Sequence, residues 1–240
     1  MRASRNKRST AFALEESEDP RLAIVYPRIK GFEELVASLR DHAAAGGQSL
    51  ILDTPYALGE LNAGVLAERL SQTGVKNVLF LGSAKEMLDF AGASDKLAWY
   101  PSLLAPAQFA EQGVFALPAK FTGRIFLSYP ALPDDYTSTG IAEFESLHEK
   151  FGIGYANSVA QIAAFQATRV LLEALERAGP DLSRDTLIAA LEQFDNFAPG
   201  LSPPISFDIE RRLGVRGAHV LRVDLEAGRL DSEKRWVPID

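Results

Sequence analysis

Leu22-Ala23-Ile24-Val25-Tyr26 runs into the turn Pro27-Arg28-Ile29-Lys30-Gly31, and then into apolar positions Phe32, Leu35, Val36, Leu39 and Ala43. The first five residues form a short β-rich run without polar alternation, the pattern of a strand buried on both faces. The later positions recur close to every 3.6 residues and stop at Gly46-Gly47, which predicts an amphipathic helix over 32–45 with a glycine terminator. A strand, a tight turn and a helix therefore follow one another within 25 residues.

The unit recurs. Strands are expected at Ser49 to Asp53, Val75 to Leu81, Leu97 to Tyr100 and Ile125 to Tyr129. Helices are expected at Ala63 to Thr73 and Ala84 to Ala91, with a short one opened by Pro106 and running to Gln112. Such alternation with short loops predicts an α/β fold: a parallel sheet flanked by helices and joined by right-handed crossovers. After Pro133 the pattern changes. Helices are expected from Ser138 to Phe151, from about Val159 to Ala178, and after the cap Ser183 to Gln193. Ile205-Ser206-Phe207, the polar turn Asp208 to Gly217 and Ala218 to Asp224 then read as a closing hairpin, with Trp236 to Pro238 as a last edge strand. The change places a lobe boundary between Pro130 and Gly154. The chain divides into a disordered start (1–20), a Rossmann-like α/β lobe (21–133) and a segment of helices and closing hairpin (134–240).

Composition narrows the function. Hydrophobic residues make up 47% of the 240, enough for a proper core, and a net charge of −7 leaves no basic face for a nucleic-acid backbone. The basic cluster Arg2, Arg5, Lys7 and Arg8 is short and reads as part of the disordered start. With no cysteine, thiolate metal sites and thiol nucleophiles are excluded. Met1 to Pro20 has no apolar core of secretory-signal length, so the chain as written reads as cytoplasmic.

Catalytic signatures are absent. The first strand is followed by Pro-Arg-Ile-Lys-Gly and not by a GxGxxG turn, so a dinucleotide lacks its backbone cradle; P-loop and GxSxG motifs are missing too. His42, His148 and His219 are far apart in sequence, with no carboxylate at helical spacing that suggests a metal. Asp134-Asp135 and Arg211-Arg212 each have a charge-chemistry reading, but a solvated loop and a hairpin tip describe them better. A binding protein without metal or cofactor is expected, rather than an enzyme.

Three stretches resemble type I periplasmic binding proteins, the branched-chain amino-acid type that serves ABC importers. Arg21 to Tyr26 with Gly31 is similar to the strand and glycine turn that open the family's second lobe. Asn77-Val-Leu-Phe-Leu-Gly82 is similar to its third strand, and Pro204 to Asp208 through Ala218 to Asp224 to its closing segment. Phe165-Gln166-Ala167 stands where the family has Tyr-Asp-Ala. The resemblance spans about Arg21 to Trp236. It implies a periplasmic solute-binding protein with an ABC permease as partner, here lacking the family's first lobe. On this basis 134–240 belongs to a partial first lobe and hinge. Helices deprived of a sheet would then expose an apolar face, which a homodimer or a complementing chain would cover.

In open parallel sheets ligands sit beyond the carboxyl ends of the strands. These ends are expected at Arg28 to Gly31, Thr54 to Tyr56, Gly82 to Ala84, Pro101 to Leu103 and Tyr129 to Leu132. The resemblance puts Lys30 where the family has a tyrosine, and Ala119 or Lys120 where it has the acid that meets a ligand ammonium. A lysine there repels an ammonium, so a small polar or anionic metabolite, an amino acid or more favourably a carboxylate, is the expected ligand. The candidate contacts are Arg28, Lys30 and Lys120 as cations, Ser83 as a hydroxyl donor and Tyr129 as a stacking ring or a packing residue.

Overall fold

The computed structural model describes residues 21–45, 51–110, 113–231 and 235–238; the expectations for 1–20, Ser49 and Gln112 lie outside these. In chain order the elements are β1 (Leu22–Pro27), α1 (Phe32–Ala45), β2 (Ile51–Tyr56), α2 (Ala63–Gln72), β3 (Asn77–Phe80), α3 (Ala84–Lys96), β4 (Ser102–Pro106) and the single turn α4 (Ala107–Ala110). They continue with β5 (Ile125–Tyr129), α5 (Ser138–Phe151), α6 (Ser158–Ala178), α7 (Arg184–Glu192), β6 (Gly217–Asp224), β7 (Arg229–Leu230) and β8 (Arg235–Pro238).

The sheet order is β2-β1-β3-β4-β5-β6-β7, with β8 also paired to β6. Strands β1 to β5 are parallel, and β6 returns antiparallel to β5, with Tyr129 opposite His219. Every residue of β1 and β3 is buried, which is why these strands read as unbroken apolar runs. Phe32, Leu35, Val36 and Leu39 of α1 pack on Ile24, Leu79, Leu104, Val220 and Val237, so one core runs across the sheet from β1 to β8. Each fully buried Leu, Ile or Phe in it contributes roughly 1.5–3 kcal/mol.

Two expectations need correction. Leu97 to Tyr100 is not a strand. The Leu97 and Trp99 amides donate to the Ser94 carbonyl, and Ala98 has φ 52°, so this segment finishes α3 and the strand begins after Pro101. Its two aromatic residues pack edge-on, Trp99 to Phe90 and Tyr100 to Phe121. The second correction concerns the closing hairpin. Ile205 exchanges backbone hydrogen bonds with Phe197, at 2.8 and 2.9 Å, and not with β6. Strand β6 pairs instead with β5, β7 and β8, and so extends the α/β sheet beyond the boundary expected at 133. Alternation of polar and apolar residues identified β6 as a strand but carries no information about its partners.

The chain separates into two compact units. One comprises the described residues through Tyr129 and those from Gly217 onward; the other is Pro130–Arg216. The second unit has no sheet of its own among the described residues. Its small core is Ala174, Phe194 and Ile205, with Val170, Leu187, Leu191 and Phe207 packed around them. Helix α5 starts at the Thr137 cap and ends at Gly152, whose φ of 61° suits a residue without Cβ. Near its start Gly140 lies against the backbone of Gly200; a Cβ on Gly140 would come within 2.5 Å of the Gly200 carbonyl.

Candidate functional site

The strand order reverses direction at β1: from there the chain steps to β2 on one side and to β3 on the other. The crevice outside the carboxyl ends of the two central strands is where such sheets hold ligands. Two turns flank it. The first leaves β1 at Pro27 and is tightened by Ile29 N–H to the Pro27 carbonyl (2.9 Å) and Phe32 N–H to the Ile29 carbonyl (3.1 Å), with Gly31 at φ 92°. The second leaves β3, where the Leu81 amide donates to the Val25 carbonyl at 2.8 Å, and passes through Gly82 to Ser83, the N-cap of α3.

Arg28 and Lys30 lie in the first turn. Both are exposed, and neither is ion-paired among the described residues. Glu33 and Glu34 follow in the first turn of α1, where the helix dipole favours them. Ser83 is exposed on the second turn, but its hydroxyl is committed: Oγ donates to Glu86 Oε2 at 2.8 Å and accepts from the Glu86 amide at 3.3 Å. With its one proton so used, Ser83 shapes the turn and is not a spare donor. Tyr129 ends β5 on the same edge of the sheet and is 6% exposed, in register with His219. That degree of burial favours the packing role of its ring.

Lys120 is elsewhere. It lies in a short 3₁₀ turn ahead of β5, with its ammonium 5.6 Å from the centroid of the Tyr100 ring, and Tyr100 precedes β4. It therefore sits at the amino ends of the strands, opposite Arg28 and Lys30. Because β4 begins at Ser102, Pro101 to Leu103 also belongs to the amino end, and Pro106 marks the carboxyl end of that strand. Four of the five candidates thus share the carboxyl edge and Lys120 does not.

Sequence reading passed over Tyr56 and Glu86. Glu86 Oε2 accepts from the Ser83 amide (2.8 Å), the Ser83 hydroxyl (2.8 Å) and the Tyr56 phenol (3.0 Å). Burial first, then the charge and hydrogen bond of Glu86, push the Tyr56 phenol well above its ordinary pKa. Gly82 gives this cluster room, since a Cβ would come within 2.5 Å of the Tyr56 hydroxyl and 2.7 Å of the Phe80 ring and those side chains would have to shift. Ser83-Ala-Lys-Glu86 is a capping-box pattern legible in sequence. No local signal brings Tyr56 to it.

The other charged candidates have structural partners. Arg211 donates to the Leu213 and Gly214 carbonyls, Arg212 pairs with Glu192 at 2.6 Å, and Asp135 Oδ2 caps the Leu132 amide at 2.8 Å. His148 is buried with Nδ1 2.9 Å from the Ile153 carbonyl, and His219 packs edge-on against Trp236; the side chain of His42 lies outside the described residues.

A family model described as periplasmic binding protein matches residues 4–229. The chain belongs to the periplasmic binding protein family. Its fold is the type I form that the sequence resembles. Among solved structures, a fatty acid ABC transporter substrate-binding protein from Thermomonospora curvata superposes with a TM-score of 0.73 at 17% identity, over 99% of this chain and 66% of its own. A branched-chain amino acid ABC transporter protein from Thermus thermophilus with bound valine gives 0.74 at 17% identity, over 98% and 65%. A solute binding protein from R. palustris in complex with benzoate gives 0.70 at 17% identity, over 99% and 65%. This periplasmic binding protein therefore spans about two thirds of the length of those structures, and at these identities the likeness establishes the fold. No curated protein matches the sequence.

Proposed function

We propose that this protein is a solute-binding component of an ABC-type importer, acting in the periplasm with a permease as partner. It takes a small polar or anionic metabolite, an amino acid or a carboxylate, at the carboxyl ends of β1 and β3. The observation that carries this reading is the switch point itself. Two ordered turns flank it, and one of them presents Arg28 and Lys30 without ion-pair partners among the described residues. The structurally similar proteins with bound valine and benzoate support the ligand class. The same reading makes the chain a binder and not a catalyst, since its family is a solute-binding one.

Isothermal titration of the purified chain with L-valine, L-leucine, benzoate and octanoate tests it. A carboxylate is expected to bind, and Arg28→Ala with Lys30→Ala to weaken it by about tenfold, equivalent to ~1.4 kcal/mol. Lys120→Ala is the control at the other edge and leaves affinity unchanged. If none of the four binds at millimolar concentration, the reading fails.

A second reading is favoured by α6. Its charges, Arg169, Glu173, Glu176 and Arg177, cluster toward one side, and Val170 and Ala174 face the small core. A further face, formed by Ala160, Ala164, Ala167, Thr168, Leu171 and Leu172, is uncharged over more than three turns and largely exposed. Leu171 and Leu172 are 47% and 52% exposed, an unusual arrangement for a solvated helix. We infer that a second copy of the chain covers this face, making the protein a homodimeric interaction module. Light scattering of Leu171→Glu against wild type decides it: a wild-type dimer that becomes a monomer supports this reading, and a wild-type monomer overturns it.

A further inference from the structure

Tyr56 reaches both turns of the switch point by separate routes. Its main-chain carbonyl accepts the Arg28 amide at 2.7 Å, which holds the β1 turn. Its phenol donates to Glu86 Oε2 at 3.0 Å, and the same oxygen receives the amide and hydroxyl of Ser83, which holds the β3 turn. Three donors on one carboxylate oxygen exceed its two lone-pair positions, so Oε2 has no capacity left for a solute ammonium. The glycine at position 82 leaves room for this arrangement, and the phenol stays protonated because burial and the adjacent carboxylate oppose its ionisation.

We propose that Tyr56 and Glu86 are positioning residues of the solute site: they set the spacing of the Arg28 and Ser83 turns and touch no ligand themselves. The proposal rests on the solute-binding reading above. It adds that affinity depends on a hydroxyl and a carboxylate set back from the ligand. Charge-assisted hydrogen bonds of this kind give geometric precision that a loop alone lacks.

The test uses the full chain and whichever of L-valine, L-leucine, benzoate or octanoate binds wild type most tightly. Tyr56→Phe removes the phenolic hydroxyl and keeps the ring. It is expected to lower affinity about five- to tenfold, within the usual net contribution of one hydrogen bond, while the ligand-free melting temperature moves little. Glu86→Ala is expected to lose as much or more, and Glu86→Gln, which retains an acceptor oxygen, to recover part of it. Amide exchange at Ser83 in the ligand-free protein should quicken in Tyr56→Phe and Glu86→Ala. If wild type binds a probe and all three variants bind it equally, the positioning role is overturned while solute binding stands. If wild type binds none of the four, the solute-binding reading fails and this proposal falls with it.

Discussion

The two compact units solve the problem of burying apolar residues differently. In the sheet unit the central strands are covered on both faces, and the core holds Leu22, Ile24, Leu39 and Leu79 at 0% exposure. In the helical unit the buried hydrophobic cluster among the described residues is small, Ala174, Phe194 and Ile205, and large side chains such as Phe151, Tyr155 and Leu172 are 52–63% exposed. The helical unit also carries a buried polar cost. Gln166 is 8% exposed, and neither its amide nitrogen nor its oxygen has a hydrogen-bond partner among the described residues. A sheet satisfies its backbone through strand pairing and offers two faces for burial. Three helices without a sheet must find cover for each apolar side, and α6 has more apolar surface than its neighbours use. Hence the sheet unit is expected to dominate the stability of the chain.

The largest expected effect tests that asymmetry directly. Leu79→Ala, at the middle of β3, should destabilise the sheet unit by about 2–5 kcal/mol through lost burial and a residual cavity. Denaturant titration followed by hydrogen exchange would locate the loss; a loss confined to residues 130–216 would break the comparison. Gly140→Ala should destabilise the helical unit by about 1–3 kcal/mol, because the new Cβ meets backbone at Gly200 and cannot be relieved by rotating a side chain. If protection in β1 and β3 fell as much as in α5, the units would be one cooperative structure. Gln166→Met should stabilise the helical unit by about 1 kcal/mol, since it replaces a buried amide without partners by an apolar side chain of similar size. A lower melting temperature would mean that the amide is satisfied in solution.

The smallest effect is a pH dependence within the sheet unit. The Tyr56 phenol has a folded-state pKa above the ordinary 10.0 expected of the unfolded chain; burial is the largest cause and Glu86 the next. Its contribution is therefore fully present below pH 10 and lost as pH rises toward the folded-state value. The small stability advantage of wild type over Tyr56→Phe should be constant from about pH 7 to 9 and narrow by about pH 11. Tyr26, also raised mainly by burial, titrates in both proteins and cancels in the difference. A gap that widens with pH would mean that the phenol ionises more readily when folded.

Particular residues show how far the sequence could be read. Leu22 to Tyr26 and Ile125 to Tyr129 are strands because an apolar run between turn residues has no better local solution. Phe32 to Ala45 and Ser138 to Phe151 are helices because period and caps agree. The same logic located Arg28, Lys30 and Ser83 at strand ends. It failed at Leu97 to Tyr100, which the Ser94 carbonyl holds as the end of α3, and this error carried Pro101 to Leu103 to the wrong edge. Lys120 was a candidate on the family resemblance alone, and its place ahead of β5, at the amino end, follows from a strand that starts at Ile125. Neither Arg40 pairing with Asp53 nor Tyr56 bracing Glu86 leaves a mark in local sequence, being separated by 13 and 30 residues.

By itself the sequence determined the α/β class, most of the elements and the cationic turn after the first strand, since periodicity, capping and turn chemistry act within a few residues. Only the tertiary structure decided that β6 and β8 complete the sheet begun by β1, that Arg40 meets Asp53 and that Tyr56 joins the Ser83–Glu86 cap. Those outcomes depend on which distant backbone edges and side chains meet, and that is settled by packing the whole sheet at once.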